Sequence, residues 1–464
     1  MHAAARDGFG ACANPLVMNS KAVVLGLART PFGRLSGALA SLDATTLGAA
    51  ALVAAIERSG LDPADVEHVI FGHVLQAGAG QNPARQVGFK SGLAKTVTAE
   101  TVNKVCASGL LAAVNAARLI NEGSNAVVAA GGMESMSNAP YLLKDARGGY
   151  RFGDGRLIDA MIHDGLWDYY FPMTMAAHGA KVANELGVSR EEQDRFAYES
   201  HRRAVQAQEN GDLAAEIVPL RIATKAKGKI VVDKLPEPAR ARVPVAAGSS
   251  NGAADAVWDH EPSKEFSLNY GQWAPFVTGD VASTTLDRDE PVRADASLEA
   301  MAKLKPLDSG GTITAGNAPG VNDGAAALIV ADESYALANR REIMARILAH
   351  ATVAWDSPYL ALTPAMAAQK LLAKTGLSKD QIDVWEINEA FSAVALTSAK
   401  RLGIDPEKIN LLGGAVAMGH PIGASGARLI GTVINQLRAR GGGYGIVAIC
   451  SGGGQGDAVL IKAG

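Results

Sequence analysis

Three cysteines occur in the chain, Cys12, Cys106 and Cys450, and the two internal ones stand where a thiol could react. Cys106 lies in NKVCASGLLAAVNAARLI, directly ahead of a strongly helical run, so its thiol sits at or near a helix N-terminus. Unpaired N–H groups and the helix dipole there favour a thiolate, which predicts a lowered pKa. The small residues Ala107, Ser108 and Gly109 leave room for a substrate carbonyl, and backbone N–H groups at this turn could hold an oxyanion. Cys450 ends the apolar run GIVAIC and is followed at once by SGGGQGD. A thiol at the carboxyl end of a strand, beside a glycine turn, is placed as in many α/β active sites. For both thiols the plainer alternative is a small buried hydrophobe.

Two more segments carry groups that could serve such a thiol. His420 lies in GGAVAMGHPIGASGARLIG, residues 413 to 431, between Gly419 and Pro421, so its ring projects from a fixed loop just before a helix. Imidazole can take a thiol proton and return one to a leaving thiolate. A loop histidine without a partner in reach does neither. Asn388, in WEINEAFSA, opens a helix expected over 388–402, either as an N-terminal cap or as an amide that orients a water toward an oxyanion. No residues fall at metal-ligand spacing.

The elements that must position these groups alternate in type. Residues 21–29 read as a strand and 45–59 as an Ala-rich helix; further strands are expected at 68–74, 125–131, 326–332 and 445–450. Helical periods fall at 107–121, 364–375, 388–402 and 423–440. Strands alternating with helices imply a largely parallel sheet with helices packed on it. The glycine-ended strands NAVVAAGG and GIVAICSGGG close two stretches of similar order, which suggests a duplication. Residues 136–320 break the alternation. They include a charged helix at 189–211, where Ser189 and Glu192 form a capping box, and a stretch rich in Pro, Gly, Ala and Ser at 235–285 that reads as a surface loop or inserted flap.

Length and composition bound the rest. With 464 residues, 48% of them hydrophobic and 20% charged, the chain can build two or more domains. A formal charge of −3 offers no net field for nucleic acid or an anionic membrane. No uninterrupted apolar stretch of about 18 residues occurs, so no membrane span is expected. The odd, sparse cysteines argue against a disulfide framework and for a reducing cytoplasm. Residues 1–20 contain no apolar run of signal-peptide length and read as a disordered extension, or as sequence upstream of a start at Met18.

Taken together, NKVCASG, GGMESMSNAPY (131–141), TITAGNAPGVNDGAAALIV (312–330), NEAFS, GGAVAMGHPIGASGAR and CSGGGQGDA resemble the thiolase family and occur in its order. LARTPFGRLSGAL and GQNPARQ add to the likeness, which runs from about residue 21 to 464 and is nearest to the acetyl-CoA acetyltransferase branch. The resemblance implies an α/β thiolase fold: duplicated βαβαβαββ halves in a five-layered α-β-α-β-α arrangement with an inserted loop domain. The N-terminal half would be 21–135 plus 321–342, the loop domain 136–320 with its unusual insertion at 235–285, and the C-terminal half 343–464. It further implies a homodimer or homotetramer.

By motif, Cys106 is similar to the family's acyl-accepting nucleophile and His420 to its activating base. Cys450 resembles the acid/base cysteine that removes a methyl proton from a second acetyl-CoA. Asn388 would hold a water in one oxyanion hole with His420, and the N–H groups of Cys106 and Gly452 would form the other. Met175, Ala318 and Pro319 match substrate-binding positions. The implied reaction is a ping-pong, reversible Claisen condensation of two acetyl-CoA to acetoacetyl-CoA and CoA, with no covalently bound cofactor. Pro319 replaces a family serine that binds the pantetheine arm, Thr174-Met175 replaces a His-Met pair, and 235–285 lengthens the loop domain. Two alternatives are a 3-ketoacyl-CoA thiolase of broader chain length and a silent, acyl-CoA-binding relative. The silent form would be expected to lose one of Cys106, Asn388, His420 or Cys450, and all four are present.

Overall fold

A computed structural model of the protein describes residues 19–225, 227–234 and 275–464. The readings of residues 1–18 and of most of 235–285 lie outside the described residues. Ser20, assigned to the disordered extension, is instead pinned: its carbonyl accepts a 2.6 Å bond from Arg346 Nη1, and its hydroxyl receives one from Asn121.

Numbering strands of the main sheet longer than two residues, β1 is Ala22–Arg29, β2 His68–Gly72, β3 Thr98–Val102, β4 Val127–Ser135 and β5 Asn322–Asp332. The second half supplies β6 (Ala345–Ala354), β7 (Val384–Ile387), β8 (Gly443–Ser451) and β9 (Gln455–Ala463). Helices of eight residues or more are α1 (Ala44–Ser59), α2 (Pro83–Lys90), α3 (Ser108–Glu122), α4 (Met175–Glu185), α5 (Arg190–Asn210), α6 (Thr363–Thr375), α7 (Ser392–Leu402) and α8 (Ser425–Ala439). The strand order is β7-β8-β9-β6-β1-β5-β4-β2-β3, and the two halves meet where β1 pairs with β6 over two residues.

Strand alternation builds the layers. Along β1, Val23 and Leu25 face one apolar cluster with α1, while Ala22, Val24 and Leu27 face another with α3 and α8. Along β8, Val447 and Ile449 join that same central cluster, while Ile446 and Ala448 face a third with α6 and α7. Three helical layers thus sandwich two sheet halves, the five-layered thiolase arrangement. α8 buries Leu429, Ile430, Val433, Ile434 and Leu437 in the central layer at 0% exposure.

The expected largely parallel sheet is mixed instead. β2 pairs parallel with β3 and β4, and β7 with β8, but β1·β5, β1·β6, β4·β5, β6·β9 and β8·β9 are antiparallel. Helical crossovers make the parallel pairs; the tight Gly452–Gly454 turn can only make an antiparallel one. The first half follows βαβαβαββ. In the second half the third strand has shrunk to one bridge between Ile409 and Trp385. The capping box of Ser189 and Glu192 is present at the start of α5. Residues 275–285, expected in a surface loop, contribute Phe276–Val277 and part of Ser283–Leu286 to a four-stranded sheet with Leu220–Ala223 and Ile230–Val231. Among the described residues, no helix is long and apolar enough to cross a membrane.

Candidate active site

Cys106 stands two residues ahead of α3, on a turn whose preceding residue, Val105, has φ +46°. A β-branched residue there is strained. The turn is held in place: Val105 N–H donates to Asn103 Oδ1 at 2.9 Å, Lys104 N–H to Ser108 Oγ at 2.8 Å, and Ser108 Oγ to Val105 O at 2.6 Å. Cys450 lies near the end of β8, 1% exposed, and the glycine turn after it folds over the same place. Ser451 Oγ donates to Lys104 O, and Gly452 packs on the Val105 side chain. The Lys104 ammonium reaches Asp457 on β9 at 2.8 Å. These contacts stitch the two cysteine turns together.

The electrostatics correct one expectation. The Cys106 thiol is not acidified: burial pushes it up to about 12, against the N–H groups of Cys106 and Gly452 that point at the sulfur, and the charge of Glu134 adds to the rise. Burial outweighs the two N–H groups, and no cation among the described residues contributes against it. Burial also drives Cys450 upward, and charge on Cys106 raises it further.

His420 comes from the segment between Ala415–Met418 and α8. Burial, aided by the Arg428 charge, lowers its pKa to about 3, so the ring is neutral. Its Nδ1 lies 2.6 Å from Ser425 Oγ, and that hydroxyl donates to Pro421 O at 2.9 Å. A serine has one proton, and Pro421 takes it, so Nδ1 must donate and the lone pair lies on Nε2. Asn388 Nδ2 faces that Nε2 at 3.5 Å, and Asn388 Oδ1 is buried without a hydrogen-bond partner. A buried orphan acceptor calls for a water or a ligand donor. Asn388 does not open a helix: α7 begins at Ser392, and Asn388 N–H continues the ladder to Ala448 O. The capping alternative therefore fails.

Three supporting residues escaped the sequence reading although they lie in the quoted motifs. Glu134, 0% exposed, accepts from the N–H groups of Val74, Leu75 and Gly423. Asn322 Oδ1 accepts from His420 N–H at 2.8 Å. Ser425 sets the tautomer. A polar residue inside an otherwise apolar or glycine-rich run was the available signal. Gly132 explains part of the glycine density: a Cβ there would sit 2.0 Å from Gly423 O.

The expected substrate-binding residues fall on adjoining clusters. Met175 packs in the group that contains Cys450 and Leu360; Ala318 packs against α4 and Ile313, and Phe391 touches both groups. Pro319 is half-buried on the same turn as Ala318. Thr174 caps α4 through Ala177 N–H and donates to Asp308 at 2.7 Å, a structural use that accounts for its type.

Comparison with known proteins identifies the family. The family model "Thiolase, N-terminal domain" matches residues 22–243 and 273–334, and "Thiolase, C-terminal domain" matches 341–463. The chain is 42% identical over 442 residues to an acetyl-CoA acetyltransferase of Escherichia coli K12, covering 95% of this chain and 98% of the relative. It is 40% identical to acetyl-CoA acetyltransferase 2 of Arabidopsis thaliana, covering 95% and 96%. The crystal structure of the Bacillus anthracis acetyl-CoA acetyltransferase superposes with a TM-score of 0.81 at 33% identity, covering 95% of this chain and 98% of that one. By its layers, its paired cysteine turns and these matches, the chain belongs to the thiolase family.

Proposed function

We propose that the protein is an acetyl-CoA C-acetyltransferase that joins two acetyl-CoA into acetoacetyl-CoA and CoA, and runs the thiolysis in reverse. The observation that carries this reading is that the turns of a half-buried thiol, Cys106, and a buried one, Cys450, are tied together through Ser451 and Lys104, while Cys106 packs against Ile422 in the segment whose histidine, His420, has its Nε2 lone pair set by Ser425.

The free enzyme holds neutral thiol and neutral imidazole. Once a thioester carbonyl is aligned, Nε2 of His420 accepts the Cys106 proton as the sulfur attacks, and the N–H groups of Cys106 and Gly452 receive the developing oxyanion. The tetrahedral adduct collapses to acetyl-Cys106, and the departing CoA thiolate takes the proton back from His420. Cys450 then passes its thiol proton to the vacated Nε2 of His420 and, as thiolate, removes an α-proton from the second acetyl-CoA. The enolate oxygen is stabilised by His420 and a water held by Asn388. Its carbon attacks acetyl-Cys106, and Cys106 leaves with the proton held on His420, which restores both thiols and the neutral imidazole. The two steps give ping-pong kinetics.

Domain roles follow the same reading: catalytic halves at 21–135 plus 321–342 and at 343–464, with 136–320 covering CoA. Met175 lines the acyl site, and Ala318 and Pro319 touch the pantetheine arm. Two working thiols suit a reducing compartment such as the cytoplasm. Large apolar side chains concentrate on the surface at 141–171, with Phe152, Tyr169 and Tyr170 among the most exposed, which supports assembly into a homodimer or homotetramer. The test is CoA-dependent loss of the acetoacetyl-CoA enolate absorbance, beside Cys106→Ala. Turnover abolished in the folded variant is the expected result; a fully active variant overturns the reading.

A further inference from the structure

Behind the site lies a buried polar cluster that the reaction does not use. Asp168 is 3% exposed, His178 0% and Ser357 6%. They come from three separate segments: the loop before α4, α4 itself, and the turn Ser357–Leu362. Asp168 Oδ1 accepts from Tyr170 N–H at 2.7 Å and Phe171 N–H at 3.0 Å, while Oδ2 accepts the Ser357 hydroxyl. His178 Nε2 stands 3.3 Å from that same Oδ2, a close approach without hydrogen-bond geometry, and among the described residues neither ring nitrogen makes a hydrogen bond. Burial opposes ionisation, yet the Ser357 hydroxyl and the two N–H groups hold the Asp168 carboxyl below its usual range, and burial keeps His178 low. An ionised carboxylate beside a neutral imidazole results, and a buried charge of that kind tolerates few alternative geometries.

What this cluster ties together forms the wall at Cys450. Leu360 and Tyr359, on the Ser357 turn, pack in the same apolar group as Cys450, and so does Met175, one turn ahead of His178 on α4. The Ser357 turn also braces the glycine turn that carries the Gly452 N–H. Thr363 Oγ1 donates to Gln455 O at 2.6 Å, and a Cβ on Gly454 would lie 2.8 Å from Ser357 Cα. Movement of Ser357 is therefore transmitted both to the side chains facing Cys450 and to the oxyanion donor.

We propose that Asp168, His178 and Ser357 form a positioning lock that holds the Ser357–Leu362 turn and α4 together and so restricts the acyl site to short 3-oxoacyl chains. The inference rests on the thiolase reading above. A longer chain would have to push Leu360 and Met175 apart, and the lock resists that because it joins the segments that carry them. None of the three residues touches the reacting atoms.

Thiolysis rates of four-carbon and six-carbon 3-oxoacyl-CoA separate the possibilities, measured on the full chain with Asp168→Asn, which keeps shape, and Ser357→Ala, a single hydroxyl deletion, with Ser357→Thr as the hydroxyl-retaining control. The expected result is a fall of about tenfold in kcat for the four-carbon substrate at unchanged KM for CoA. The six- to four-carbon ratio of kcat/KM rises at least about fivefold, and Ser357→Thr stays near wild type. A ratio within twofold of wild type in the folded variants, whatever their melting temperature, overturns the lock and leaves the thiolase reading standing. Absence of turnover in the wild type with either substrate overturns the thiolase reading itself.

Discussion

Replacing Ser425 by Ala tests the tautomer argument most directly. The hydroxyl accepts the His420 Nδ1 proton at 2.6 Å and donates to Pro421 O. In Ser425→Ala, Nδ1–H loses its acceptor in a site only 7% exposed, and the ring gains by moving its proton to Nε2, where it blocks the lone pair that must take the Cys106 proton. Leaving a buried donor unmet costs about 1–3 kcal/mol. At 1.36 kcal/mol per tenfold in rate, that corresponds to a loss of roughly 5- to 150-fold in kcat. Thiolysis of acetoacetyl-CoA, followed by loss of its enolate absorbance, reads the effect. Ser425→Thr retains the hydroxyl and is expected to keep most of the rate. Turnover of folded Ser425→Ala within twofold of wild type would refute the reasoning, because His420 would then not depend on Ser425 for its proton placement.

Three other outcomes follow from the site and its surroundings. Cys450→Ala should still exchange labelled CoA with acetyl-CoA through Cys106, yet lose condensation by about 10²- to 10⁴-fold; equal loss of both reactions would contradict separate roles for the two thiols. Pro319→Ser restores a hydroxyl to the CoA-facing turn and should lower the KM for CoA by about 2- to 10-fold at unchanged kcat, the span of one net hydrogen bond. Stability should fall as pH drops below about 6.5. His420 at about 3 and His201 and His350 at about 4 all bind protons later in the folded state than in the unfolded one. Glu386, raised to about 8, acts oppositely, since the folded state holds its proton longer and loses that advantage as pH rises from about 4.5 to 8. His68 and His178, also lowered, act with these histidines, and Glu389 and Asp323, also raised, act with Glu386; with five groups against three, melting scans at pH 7 and pH 5 should show a lower midpoint at pH 5, and a flat profile would refute the expectation.

Much of this molecule could be read from residue order. The strand at 21–29, the helices after Cys106 and His420, and the capping box at Ser189 follow from local periodicity and local hydrogen bonding, and each appears within a residue or two of its expected place. The grouping of Cys106, His420, Asn388, Cys450 and Gly452 came from motifs, since no spacing rule brings residues 106 and 450 together. Where local signals conflicted with tertiary context, they failed. Asn388 looked like the start of a helix, but its N–H is claimed by Ala448 on β8. The alternation of strands and helices looked parallel throughout, but the closing strands of each half return antiparallel.

The sequence alone named the candidate reactive groups, because side-chain chemistry and short-range backbone geometry are properties of consecutive residues. The tertiary structure decided their state. Whether Cys106 is acidified depends on how much water is excluded around it, a sum over segments far apart in the chain, and burial reversed the direction that the helix end alone would give. Which nitrogen of His420 is free depends on where the one proton of Ser425 goes, and only the folded position of Pro421 O answers that. Dielectric and hydrogen-bond competition are set by three-dimensional neighbours, so the sequence can name the participants while the fold assigns their charges and protons.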